Sequence, residues 1–328
     1  MEAPSGLHTA ALHETVERYR AGSIYKKERF EKDFEGAKDD QDAVTEILLS
    51  DLYGLEREGG DLEAFEEHLK KLSGPQSVCT EQWSKDSLAF KCVDCQLDPT
   101  CAICMNCFFN SNHEGHAWSL IRTGGGCCDC GDPSSWGREG FCYNHQGISE
   151  SQDCLRSLEV LPEELRREAL RLLPGSVAYA TDLLVERKRS RASVSNSRLT
   201  RRQFDLRLCT LFGFLQRVCT TVEPLRQVVC EAVGEGVLKV LFETHGDLQR
   251  QPKEAAHGFL LALFISPRFK RRSGGWETLF LRNVCLDSSS SACMGFLCWL
   301  VVDVRRVMLR RSDKSSTVSS ACPPLSPS

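Results

Sequence analysis

Between residues 79 and 145 the chain gathers the side chains best suited to hold a soft metal. Ten of its eighteen cysteines and three of its eight histidines fall in about a fifth of its 328 residues. They stand in pairs: Cys92 with Cys95, Cys104 with Cys107, His113 with His116, Cys128 with Cys130, and Cys142 with His145, with Cys79 upstream. Such close spacing lets a tight turn aim two donors at one ion, as a tetrahedral zinc site requires. Disulfides are the competing use of so many cysteines. The interleaved histidines, and an N-terminus whose early charges Glu2, Glu14, Glu17 and Arg18 interrupt any secretory apolar stretch, favour reduced thiolates on zinc.

With Cys101 and Cys127 set aside, eight cysteines and three histidines give eleven donors, whereas three closed tetrahedral sites need twelve positions. Either one thiolate bridges two metals or a spare cysteine is recruited. Across the same stretch eight acidic residues face four basic ones. That field attracts cations and repels nucleic acid, so nucleic acid is not an expected partner. Nor is a membrane: the longest apolar run, near residues 292–302, is stopped by Asp303, Arg305 and Arg306. The expected location is cytoplasmic, with the nucleus also open.

The elements that must position these residues are helical. Residues 1–74 are expected to form a helical segment, with Val44, Leu48, Leu52 and Leu55 at helical spacing and Asp61 as the N-cap of a further helix. Gly74-Pro75 ends it, and residues 77–148 read as mostly loop, a unit stabilised by zinc more than by burial. Helices packing after that module are expected over residues 149–186, with Pro162 at a start and Pro174-Gly175 at an end. Residues 187–203 read as a basic, Ser-rich linker, 204–311 as a helical scaffold, and 312–328 as a disordered tail. Cys209, Cys219, Cys230, Cys285, Cys293 and Cys298 fall within apolar helical patterns and never pair at ligand spacing, which makes them core residues.

The runs Cys92-Val-Asp-Cys95, Asp98-Pro-Thr-Cys101, Cys104-Met-Asn-Cys107-Phe, Gly124-Gly-Gly, Cys128-Asp-Cys130-Gly-Asp132 and Cys142-x2-His145 closely resemble the UBR box of the N-recognin ubiquitin ligases. The resemblance covers about seventy residues and corresponds to the N-terminal portion of those ligases. It implies a mainly α protein carrying a small, loop-rich UBR-type zinc finger with three structural zincs. It also implies a ligand set: Cys92, Cys95, His113 and His116 on one zinc, Cys79, Cys104, Cys107 and Cys128 on a second, and Cys107, Cys130, Cys142 and His145 on a third. The shared Cys107 would resolve the donor arithmetic. Cys101 is left as buried filler. Cys127 departs from the family, which usually has an aromatic residue there, and the loop between His116 and Cys128 is one residue shorter, which alters that part of the ligand pocket; contention of Cys127 with Cys128 for metal is the lesser alternative.

The resemblance further implies a reader of degradation signals. Asp129 and Asp132 would bind a basic first side chain, Arg, Lys or His, through charge-assisted hydrogen bonds. Asp98 would hold the free α-amine, with Thr100 and the backbone at Cys127 as further polar contacts and Ala102 and Ile103 as an apolar shelf. No residue is assigned a catalytic role. The family transfers ubiquitin through a RING domain, and no second cysteine and histidine array follows His145, so ligase activity is expected to need an E2 or a RING-bearing partner in trans. The rival expectation is a zinc-dependent scaffold or histone-tail reader without degron specificity, which would be indifferent to loss of Asp98, Asp129 and Asp132.

Overall fold

The computed structural model describes residues 27–55, 61–74, 76–84, 86–147, 158–192 and 199–273. The expected tail, the second half of the scaffold with Cys285, Cys293 and Cys298, and the first helical residues of the N-terminal segment lie outside them.

Three N-terminal helices open the described chain. In α1 (Lys27–Gly36) Phe30 and Phe34, one turn apart, face the interior. The next, α2 (Gln41–Tyr53), is started by Asp40, whose carboxylate accepts the Ala43 N–H, and ended by Gly54 at φ 67°, a left-handed cap suited to glycine. Asp61 caps α3 (Leu62–Ser73) by accepting from Ala64 N–H, as its sequence position led one to expect.

After the cysteine-rich segment comes the main helical body. Its long helix α5 (Glu163–Ala192) is followed by α6 (Arg201–Thr221), α7 (Glu223–Ala232), α8 (Glu235–His245), α9 (Arg250–Phe264) and α10 (Pro267–Ser273). Helix α4 (Met105–Phe109) lies inside the cysteine-rich segment. The spine is α6, which opens on a reciprocal Thr200/Gln203 capping box. It buries Leu208, Leu211, Phe214, Leu215 and Val218 against α5, α9 and α2. A buried Arg207 ties the N-terminal helices in: its Nε donates to Asp39 at 2.9 Å, its Nη1 to the Tyr179 hydroxyl at 3.0 Å.

Two expectations need correction here. Pro174-Gly175 does not end a helix, because α5 runs through it. Proline removes one backbone donor, but Leu172, Leu173, Val177, Tyr179 and Ala180 around it are all buried against the bundle, and that packing outweighs the local penalty. The basic stretch 187–203 is not simply a linker either. Its first six residues continue α5 and its last three begin α6. Arg187 is buried, paired with Asp205, and Lys188 reaches Glu243 at 3.0 Å. No described helix is long and apolar enough to cross a membrane.

The cysteine-rich unit is small and contains little regular structure. Strand β1 (Gln82–Trp83) pairs antiparallel with β4 (Gly126–Cys127), and β2 (Leu88–Cys92) with β3 (Trp118–Arg122), Phe90 facing Leu120 and Cys92 facing Trp118. Its α-helix α4 (Met105–Phe109) is capped by Cys104, and a 3-10 turn spans Arg138–Gly140. The core is formed by cysteines around Phe90, Phe108, Ile103 and a fully buried Trp136. The Phe90 and Phe108 rings stack at 3.8 Å.

Candidate metal centre and the acidic turns beside it

Every sequence-identified donor falls into one of three groups whose ligand atoms all lie within 4.8 Å of one another: Cys92, Cys95, His113 and His116; Cys79, Cys104, Cys107 and Cys128; and Cys107, Cys130, Cys142 and His145. Cys107 belongs to two groups. Strand β2 and the turn after it deliver Cys92 and Cys95, and α4 delivers Cys104 and Cys107 from its cap and first turn.

The donor atoms can be tested against zinc. Ligands at zinc's usual bond lengths and tetrahedral angles stand about 3.8 Å apart for two sulfurs and about 3.5 Å for sulfur and nitrogen. Cys79 and Cys104 Sγ are 3.9 Å apart. Cys92 Sγ is 3.4 Å and Cys95 Sγ 3.3 Å from His116 Nδ1, and Cys95 Sγ is 3.6 Å from His113 Nδ1. Cys107 and Cys142 Sγ lie 3.3 and 3.1 Å from His145 Nδ1. Surrounding groups suit thiolates. The amides of Cys104, Cys107 and Cys142 donate to the sulfurs of Cys128, Cys104 and Cys130 at 3.2, 3.4 and 3.2 Å. His113 Nε2 sits 2.8 Å from Ser111 Oγ, which holds the ring with Nδ1 toward Cys95. Burial, then the neighbouring Cys92, pushes the Cys95 thiol up to about 12, and burial likewise raises Cys128. Sulfur and nitrogen donors at these separations fit zinc, whose charge would offset the cost that burial sets against the thiolates.

Cys101 and Cys127 stand outside the three groups, both buried. Cys127 does not contend for metal: its side chain belongs to the apolar core of the helical body, while its neighbours Cys128 and Cys130 belong to that of the box.

Two turns lie against each other beside the clusters. In the first, Asp98 Oδ1 accepts the Thr100 N–H at 2.7 Å and also takes the Thr100 hydroxyl. In the second, Asp132 N–H donates to Asp129 O at 3.1 Å, and Asp132 Oδ1 accepts from Ser134 N–H and Oγ–H at 2.9 and 2.6 Å. The turns are joined by a reciprocal pair: Asp129 N–H donates to Ala102 O at 3.0 Å and Ala102 N–H to Asp129 Oδ2 at 2.8 Å. Ile103 is fully buried and bridges to Phe90. Gly131, in the turn between Asp129 and Asp132, has φ 89°, and a Cβ there would stand 2.3 Å from Ser77 O, so only glycine lets the two backbone segments approach so closely.

Sequence reasoning missed one participant. Lys270 Nζ, on α10, lies 2.8 Å from Asp132 Oδ2, with the two side chains 10% and 4% exposed. Burial opposes ionisation of Asp132, but the Lys270 ammonium and the Ser134 donors outweigh it and hold the carboxyl below its usual range. Lys270 is 138 residues away in the chain, and no local signal could have linked it to the box.

Clustered cysteine and histidine donors on a loop-rich, strand-poor framework define a zinc finger. Residues 78–145 match the family model for the zinc finger in N-recognin (UBR box), and this segment is a UBR box. The chain is 31% identical over 210 residues to E3 ubiquitin-protein ligase PRT6 of Arabidopsis thaliana, covering 62% of this chain and 10% of that protein. It is 34% identical over 121 residues to E3 ubiquitin-protein ligase UBR1 of Homo sapiens, covering 35% of this chain and 7% of that one. To E3 ubiquitin-protein ligase UBR2 of Homo sapiens it is 31% identical over 124 residues, 37% and 7% of the two chains. It therefore spans a tenth or less of the length of these curated relatives.

Proposed function

We propose that residues 77–148 read N-degrons, binding proteins whose free N-terminus begins with Arg, Lys or His and marking them for ubiquitin-dependent degradation. Three zincs would act as structural crosslinks, one held by each donor group, with Cys107 bridging two. Each group supplies four protein ligands and leaves no open position for water, so the metal's role is to fix backbone rather than to activate a reactant.

The single observation that carries this reading is the reciprocal Ala102 and Asp129 pair, which docks the Asp98 turn onto the Asp132 turn between the cysteine donors on either side. Carboxylates fixed in this way engage two adjacent positive groups, an α-ammonium and a cationic side chain, without first being ordered. Asp98 and Thr100 would take the α-amine, Asp129 and Asp132 the side chain, the backbone at Cys127 a further polar contact, and Ala102 the second residue. The flanking helical segments serve as the mount, and the E2 and RING functions come from elsewhere in a longer chain or from a partner.

Burial of Asp129 and Asp132 favours a second reading, in which these carboxylates only brace the box against the helices and the module is a scaffold. Titration with a labelled Arg-initiated peptide, its N-acetylated form and a Gly-initiated control, followed by fluorescence anisotropy, separates the two. The degron reader binds only the free Arg terminus and loses it on Asp98→Asn. Equal or absent binding of all three peptides by folded, zinc-loaded protein establishes the scaffold.

A further inference from the structure

The acidic turn that would receive a basic side chain already holds one. Lys270 places its ammonium 2.8 Å from Asp132 Oδ2, and both aspartates of that turn are closed to solvent, Asp129 and Asp132 each being 3% exposed or less. An incoming Arg or Lys side chain cannot reach either carboxylate while that contact stands. Resting on the degron-reading function above, we propose that Lys270 is an internal gate, an intramolecular cation that occupies the site for the first residue and must leave before a degron binds.

How the lysine is held supports a gate on a short lever. It sits on the seven-residue helix α10, whose Phe269 is buried edge-on to Phe264 of α9 at 5.5 Å. The backbone N–H of Lys270 donates to Ser266 O at 3.0 Å, and neighbouring Ile265 packs on Val78 of the box. Lys270 is an ammonium, a single-point donor, whereas an N-terminal arginine brings a planar fork and a second positive charge from its own α-amine. The internal cation is therefore the weaker ligand of the two and can be displaced. Exchanging one cation for another also avoids leaving the buried Asp132 unpaired at any stage but the transition between them.

Competition of this kind has a quantitative signature. A gate that closes the site most of the time lowers the apparent affinity by the open fraction, and does so equally for every ligand of that site. Lys270→Met, which keeps the apolar stem, and Lys270→Ala should each bind the Arg-initiated peptide about tenfold or more tightly than the parent chain. Lys- and His-initiated peptides should gain by the same factor. Lys270→Arg keeps a cation in the site and should not gain. In the parent, Lys270 should resist amine acetylation read by mass spectrometry, and saturating Arg-initiated peptide should make it reactive. Zinc content and far-ultraviolet circular dichroism confirm that the variants are folded.

Equal peptide affinity in the parent, the Met and the Ala variants, with Lys270 equally shielded whether or not peptide is bound, overturns the gate and leaves the reader standing. Failure of all folded variants to distinguish a free from an acetylated Arg terminus overturns the reader, and the gate with it.

Discussion

The box and the helical body fill their interiors with different chemistry. In the body the buried side chains are Leu, Val and Phe on α2, α5, α6 and α9, each helix contributing one apolar stripe to a shared core. In the box the buried set is largely cysteine, with Phe90, Phe108 and Trp136 as the main large apolar groups, and the strands are two to five residues long. A body built by burial keeps its structure without a cofactor. A box of this size and composition has too little apolar surface to do so, and its tertiary contacts converge on the metal donors. The two regions meet at Cys127, Lys270 and the Gln76 to Arg226 segment contacts, where Ser77 N–H donates to Glu223 at 2.9 Å and Gln216 to Gln82 at 3.0 Å.

Metal removal separates them most strongly. Excess chelator should abolish peptide binding and collapse the side-chain order of the box, since structural zinc sites in small domains supply about 10 kcal/mol or more of folding free energy. Far-ultraviolet circular dichroism should change little, because most helical residues lie elsewhere. Parallel loss of helicity and box order would show instead that the interface makes one cooperative unit of the two.

The converse perturbation is a cavity in the body. Phe214 is fully buried on α6, so Phe214→Ala should lower the stability of the helical body by about 3–5 kcal/mol in urea unfolding. Bound zinc, measured by metal analysis after gel filtration below the unfolding midpoint, should remain at the parent value. Zinc loss in step with the helices would collapse the distinction.

A smaller effect comes from pH. His257 Nε2 lies 2.6 Å from His245 Nε2, and burial, reinforced by Lys253, lowers the His257 pKa from 6.5 to about 4. The native ring stays neutral while the unfolded ring takes up a proton, so this residue's contribution is intact above 6.5 and declines as pH falls toward 4. The loss should reach up to about 3 kcal/mol, and His257→Gln should show a shallower decline than the parent. Acid release of zinc is common to both chains, so the difference between their unfolding midpoints isolates the histidine. Identical declines would mean that His257 carries no such linkage.

Short-range spacing wrote much of this protein into its sequence. The donor pairs are two or three positions apart along the chain, so each is carried by a local turn, and the structure gathers those same residues into three groups, with Cys128 and Cys130 divided between two of them. The apolar faces of α2 and α6 and the Asp61 cap were likewise legible, because helix periodicity and capping are local properties. Pro174 misled because a local breaker was weighed without the packing on either side of it. Arg187 misled because a basic run looks solvated until its partners Asp205 and Asp247 are known. Only tertiary structure could decide what faces the acidic turns. Spacing can place Asp129 and Asp132 on a rigid backbone, but whether their carboxylates meet water, a guest or Lys270 depends on how α10 folds back from 138 residues away, and no local pattern encodes that contact.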